Sequence, residues 1–222
     1  MNGLLPRHHL VWLDRLVWGD FSGRLDKPTR AIVRAWFDRD LPAVARRHAE
    51  DDPENAVPLG IPSTPREGRL RIAFNVPQSR VRKTEPPLAL CRVISSAPPA
   101  WQAALTELNT SFRVARIGVR VYGSLAWQHI TQEDHVTERS DVDLLLKPED
   151  RPQLELALAL LQDWEVQTGL RADGEFLLPD GAAVAWRELL HARGRVLVKS
   201  SRSLTLRTVS ELLGALHVKP TA

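Results

Sequence analysis

Apolar positions fall three and four apart in some stretches of this chain and alternate in others. In "APPAWQAALTELNTSF" a helix starting at Pro98 or Pro99 puts Trp101, Leu105, Leu108 and Phe112 on one face. Asp150 is placed to cap a second helix, with Pro152 in its first turn and Leu154, Leu158 and Leu161 along one stripe. Pro28 to about Phe37 and "TVSELLGAL" also have helical spacing, and "LAWQHI" has helix-permissive composition. Alternation predicts strands. "RIGVRVYGS" puts Ile117, Val119 and Val121 on one side, and "RLRIAFNV" alternates Leu70, Ile72 and Phe74 up to Pro77. "SDVDLLLK" and "RVLVKS" read as further strands, and "GEFLLPDGAAVAWREL" as a hairpin around Pro179-Asp180-Gly181.

The order helix, strand, helix, strand, helix, hairpin, strand, helix predicts an α+β core with a mixed sheet. Pro86-Pro87 marks a boundary, giving a small N-terminal α+β domain over 1–85 and a second domain over 86–222. The first domain reads as mostly irregular. Its segment "DDPENAVPLGIPSTPREG" is rich in Pro, Gly and acidic residues and reads as loops.

Composition narrows the function classes. With 222 residues, 43% of them hydrophobic, the chain can bury a sizeable core. No apolar run reaches the roughly 20 residues that span a bilayer. The apolar stretch from Met1 to Trp18 is broken by Arg7, Asp14 and Arg15 and lacks a signal peptide's cleavage site, so a cytoplasmic location is expected. Cys91 is the only cysteine, which excludes an internal disulfide and a zinc cluster, and it is expected to be a buried, inert thiol. Net charge is +3, mostly from arginine, and no nucleic-acid-binding motif stands out, so no nucleic-acid partner is expected.

Candidate chemistry lies in "VRVYGSLAWQHITQEDHVTERSDVDLLLK". A strand runs into Gly123-Ser124 and helix-compatible residues follow. Glycine lets a backbone approach a ligand, and the first N–H groups of a helix, aided by the Ser124 hydroxyl, can hold a phosphate. Asp141 and Asp143 are two apart, so on a strand both carboxylates face the same way. Two such carboxylates repel unless a cation lies between them. Oxygen donors favour Mg²⁺, with Mn²⁺ as an alternative. Two such ions can clamp the attacking and leaving oxygens of an in-line displacement.

Gly-Ser, Asp-x-Asp and a later strand carboxylate resemble the signature of the nucleotidyltransferase superfamily typified by DNA polymerase β. Relative to its smallest members, Leu125 to Ser140 is a longer connection. Within that superfamily the chain resembles the malonate decarboxylase holo-[acyl carrier protein] synthases, or phosphoribosyl-dephospho-CoA transferases. The similarity runs from "PRHHLVWL" through "YGSLAWQHIT" and "SDVDLLL" to "DGEFLLPDGAAVAWREL" and "VLVK", most of the chain. The resemblance implies a polymerase β-like mixed-sheet core and a metal-dependent transferase. Its donor would be 2′-(5″-triphosphoribosyl)-3′-dephospho-CoA and its acceptor a serine of the apo acyl carrier protein subunit of malonate decarboxylase, with pyrophosphate leaving.

In that scheme Asp141 and Asp143 hold the metals, Gly123 and Ser124 hold phosphates, and Lys199 reaches a phosphate as a point charge. Glu175, read at the start of its strand, would be the third carboxylate, binding a metal or deprotonating the acceptor. Asp173 and Asp180 flank glycines and read as turn residues. Arg120 faces away from Val119 and Val121, toward a phosphate or solvent. Trp127 and Trp186 are weighed as adenine stackers against core residues, and His129 and His135 read as surface or packing residues. Two alternatives keep the same residues: an ATP-using nucleotidyltransferase acting on a small molecule or partner protein, and a noncatalytic binding module.

Overall fold

The computed structural model describes residues 5–17, 19, 23 and 25–216; Met1 to Leu4 and Trp18 of the N-terminal apolar stretch lie outside them. The chain divides into two compact units, Met1–Pro86 and Pro87–Ala222. Both are mixtures of helix and sheet, so the protein is of the α+β class. No helix among the described residues is long and apolar enough to cross a membrane.

In the first unit, β1 (Leu10–Leu13) leads to α1 (Lys27–Asp38), β2 (Ala43–Ala45), β3 (Ala56–Pro62), β4 (Arg71–Pro77) and β5 (Val81–Glu85). The strands form one antiparallel sheet in the order β4-β3-β2-β1-β5. Helix α1 starts where the Asp26 side chain accepts from the Thr29 N–H and Pro28 occupies the first turn. It buries Val33, Trp36 and Phe37, and Phe37 meets Phe74 edge to face at 6.4 Å.

This unit is more regular than its sequence suggests. The segment read as loops contains β3, whose Val57, Leu59 and Ile61 alternate inward while Pro58, Gly60 and Pro62 take the other positions. Pro58 is tolerated because its carbonyl side faces β2 just where that strand ends. The carbonyl accepts from Arg46 N–H at 3.0 Å, and no strand residue there requires the missing donor. In β4 the buried set is Ile72, Phe74 and Val76, and Leu70 is exposed. Arg46 and Asp52 form a two-pronged ion pair at 2.6 and 2.7 Å, joined by Asn75, whose Nδ2 donates to Asp52 at 2.8 Å.

The second unit runs β6 (Leu88–Ala89), α2 (Leu90–Val93), α3 (Pro99–Val114), β7 (Gly118–Val121), α4 (Gly123–Thr131) and β8 (Val142–Lys147). It continues with α5 (Arg151–Thr168), β9 (Ala172–Leu177), β10 (Ala183–Ala185), α6 (Trp186–Leu190), β11 (Arg195–Lys199), β12 (Leu204–Thr208) and α7 (Val209–Ala215). One sheet orders these strands β12-β11-β10-β9-β8-β7-β6. Among the described strands only β8 and β9 pair in parallel, through the crossover helix α5; the other pairs are antiparallel.

Helix α3 buries Leu105, Leu108 and Phe112, and α5 buries Leu154, Ala157, Leu161 and Trp164. Each such leucine contributes about 1.5–3 kcal/mol relative to exposure. The two helices are joined by a hydrogen bond from Trp164 Nε1 to the Ala104 carbonyl at 2.9 Å. Asp150 caps α5 by accepting from Gln153 N–H at 2.8 Å. On the sheet, Val121, Val142, Leu144, Leu146, Phe176 and Val198 share one face by register and are fully buried. Cys91 departs from expectation: it is exposed, because α2 turns Leu90 and Val93 inward and leaves Cys91 on the opposite side.

Candidate active site

The opposite sheet face carries the polar residues. Register pairs Arg120 of β7 with Leu145 of β8, Asp143 with Asp173, Leu145 with Glu175, and Glu175 with Ala185. Ala183 pairs with both Leu177 and Lys199. Directly paired residues share a face, so Arg120, Asp143, Asp173, Glu175 and Lys199 all project from the same side.

Asp143 stands near the start of β8, at one end of this face. Beyond the last β7–β8 pair, Tyr122 N–H donates to the Asp143 carbonyl at 3.1 Å, which holds the end of β7 against the start of β8. The Asp143 carboxylate lies over Gly123, whose φ is +66°. A Cβ built at position 123 would stand 1.7 Å from Asp143 Oδ2, so glycine is required both by the backbone and by the carboxylate. Gly123 and Ser124 open helix α4. Its N-cap position is Tyr122, and no side chain caps it, so Ser124 is a first-turn residue rather than a cap. Such a helix start offers N–H groups to an anion.

Asp141 lies one residue ahead of β8, and its Oδ1 meets Arg171 Nε at 3.3 Å. The connection before it is held by the Gln128 side chain, whose Oε1 accepts from the N–H groups of His135 and Val136 at 3.2 and 2.9 Å. Helix α4 accounts for the first half of the long segment after Ser124.

Two acidic residues stand elsewhere than their sequence context suggests. Asp173 is not in a turn; it lies on β9 beside Asp143. Its glycine neighbour, Gly174, serves the strand pairing, since a Cβ there would stand 2.1 Å from the Leu144 carbonyl oxygen. Glu175 is not at a strand start but in mid-β9, 5% exposed, with Oε1 3.2 Å from Lys199 Nζ. Asp180 does belong to the hairpin turn, accepting from Ala182 N–H and pairing with Arg207 at 2.6 Å. Burial works to raise the Asp180 carboxyl pKa, but the hydrogen bonds from Arg207 and Ala182 outweigh it and hold the pKa below its usual value.

The remaining candidates divide between packing and the polar face. Trp127 and Trp186 are buried, and Trp186 Nε1 donates to the Ala172 carbonyl at 3.2 Å, so both are core residues. His129 shares a hydrogen bond with Ser96 Oγ at 2.8 Å; burial and then the charge of Arg92 push its pKa down. His135 is buried in the connection before β8. Arg120 donates to the Pro87 carbonyl at 2.7 Å.

Among the described residues, no group of three or more His, Cys, Asp and Glu side chains gathers into a cation-holding cluster. Carboxylate oxygens suit a hard divalent cation such as Mg²⁺ or Mn²⁺. Mg²⁺ is commonly held by one or two carboxylates, with waters and substrate phosphates completing its shell. Asp143, set against Gly123 at an uncapped helix start, and Asp141 just before it fit that pattern.

Comparison with known proteins places the chain. Residues 6–87 match the model of the phosphoribosyl-dephospho-CoA transferase MdcG N-terminal domain, and residues 89–210 match that of its C-terminal domain. The phosphoribosyl-dephospho-CoA transferase of Xanthomonas campestris pv. campestris is 42% identical over 200 residues, 87% of this chain and 89% of the relative. The protein of the same name from Bradyrhizobium diazoefficiens is 33% identical over 90% of this chain and 88% of its own. No solved structure matches. Two domain models in succession, and full-length relatives at this identity, show that the chain belongs to the phosphoribosyl-dephospho-CoA transferase family.

Proposed function

We infer that the protein transfers the phosphoribosyl-dephospho-CoA group from 2′-(5″-triphosphoribosyl)-3′-dephospho-CoA to a serine of an apo acyl carrier protein, the subunit of a malonate decarboxylase. The reading is carried by the Asp143 carboxylate seated over Gly123 at the start of α4, in a chain whose relatives bear the transferase name. The serine oxygen attacks the α-phosphorus, the bond from that phosphorus to the bridging oxygen breaks, and pyrophosphate leaves. The product is a phosphodiester, and the serine proton passes to a carboxylate.

The chain supplies each part of that step. The open N–H groups of α4 and the Ser124 hydroxyl hold phosphate oxygens, and Lys199 adds a positive charge on the same sheet face. Asp141 and Asp143 would hold Mg²⁺, which would supply positive charge against the charge that builds on the phosphoryl oxygens. Asp173, beside Asp143 in register, is the third carboxylate and is placed to take the serine proton.

The test is incubation of the full chain with apo carrier protein, Mg²⁺ and the triphosphoribosyl donor. The intact mass of the carrier should rise by the prosthetic group, with one pyrophosphate released per carrier. An unmodified carrier together with turnover of ATP would overturn the reading in favour of an ATP-using transferase.

A further inference from the structure

Glu175 and Lys199 stand on strands that do not touch. Strand β10 lies between β9 and β11, so their backbones are roughly 10 Å apart at the usual strand spacing. Their side chains nonetheless meet, with Lys199 Nζ 3.2 Å from Glu175 Oε1. The intervening strand explains how. Its residues on this face are Ala183, paired with Lys199, and Ala185, paired with Glu175. Two methyl groups leave room for a bridge that larger residues would fill.

The bridge is uneven. The Glu175 side chain is 6% exposed and that of Lys199 is 32% exposed, so the carboxylate forms the buried foot and the ammonium the open end. A lysine ammonium has three donors on a flexible four-carbon stem. One donor directed at Glu175 leaves the others for an anion on the open side. Glu175 is poorly placed to take a proton from a protein serine, because it is buried and engaged with Lys199, whereas Asp173 is exposed beside Asp143.

We propose that Glu175 is a positioning residue that holds Lys199 Nζ as a fixed cationic contact for the donor's phosphates. The inference rests on the phosphate-transfer reading of this face and deepens it. The hydrogen bond, more than the negative charge, does the positioning. Two neutral replacements of similar length separate these contributions. Glu175→Gln keeps an oxygen acceptor within reach of Lys199, and Glu175→Met does not. Both remove the same charge, so any difference between them reports the hydrogen bond.

The probe is inorganic triphosphate with Mg²⁺, titrated calorimetrically into the full-length protein and its variants. Glu175→Gln should bind triphosphate about tenfold more tightly than Glu175→Met, the scale of one hydrogen bond to a charged group. That difference should vanish when Lys199→Met is added to both. Equal affinities for the Gln and Met variants would overturn the proposal, as would a difference that persists without Lys199. A wild-type protein that binds no triphosphate would overturn it too. Should Glu175→Met fail to fold, Ala183→Val supplies the second test: it crowds the bridge with both charges present, and unchanged triphosphate affinity would reject the positioning role. Neither carrier protein nor nucleotide donor is present, so failure of the proposed transfer reaction would not be mistaken for failure of the bridge.

Discussion

Asp143 illustrates how one position can combine a strand, a turn and a charge. Its backbone extends the pairing with β7 through Tyr122, and its carboxylate occupies the space that a side chain at 123 would need. Neutral Asp143→Asn keeps that shape and should leave the fold intact while lowering carrier modification at least 10²-fold, a typical cost of losing an electrostatic contact in the transition state. Asp173→Asn is expected to lower turnover with little change in triphosphate affinity, as befits a proton acceptor. Mass spectrometry of the carrier and calorimetry of triphosphate check both variants, and near wild-type turnover in Asp143→Asn would end this assignment. The Gly-Ser and Asp-x-Asp residues were legible because their spacing is local. The environment of Glu175 was not legible, because Lys199 is 24 residues away and reaches it only across the alanines of β10.

At the scale of elements, the sequence was clearest where a buried stripe had a single period and an unmistakable end. The α3 face, the Asp150 cap and the turn at Pro179-Asp180-Gly181 are of that kind. Strand β3 was obscured because prolines and a glycine alternate with its apolar residues, although Val57, Leu59 and Ile61 are all buried. Strand β5 escaped because Val81–Glu85 is mostly exposed and joined to β1 through its backbone, which leaves no apolar pattern to read. Asp173 was misplaced for a related reason: a glycine next to an aspartate suggests a turn, yet Gly174 is there so that β8 and β9 can approach. Gly174→Ala should therefore strain the parallel β8–β9 pairing and cost about 3 kcal/mol, the upper end of ordinary overpacking. Urea unfolding monitored by tryptophan fluorescence would show it, and a variant as stable as the wild type would contradict the close approach.

At the scale of the whole molecule, the two units differ in what they contain. The first has a sheet core and a half-buried ion pair, Arg46 with Asp52. The hydrogen bonds from Arg46, followed by those from Ala49 and Asn75, hold the Asp52 pKa well below the usual carboxylate range despite the opposing effect of burial. A lowered folded-state pKa gives stability that is complete above the unfolded value of about 3.9 and fades as the pH falls below it. Acid unfolding of this unit should thus begin below about pH 4, and Asp52→Asn should flatten that dependence. The second unit holds Gly123, Ser124, Asp141, Asp143, Asp173, Glu175 and Lys199, the whole of the proposed chemistry. The proposed reaction also needs a carrier protein and a bulky dephospho-CoA moiety to be recognised, and we propose that the first unit does that work. The chain from residue 87 onward should accordingly bind Mg²⁺–triphosphate within about threefold of the full protein, because the contacts to phosphate and cation are intact. Carrier modification should fall much further, by about 10²-fold, since orientation of the two large substrates is lost. The comparison requires circular dichroism to show that the shortened chain is folded. If that folded chain modifies the carrier as well as the full protein, or loses triphosphate binding and carrier modification in equal measure, then the work is not divided between the two units in this way.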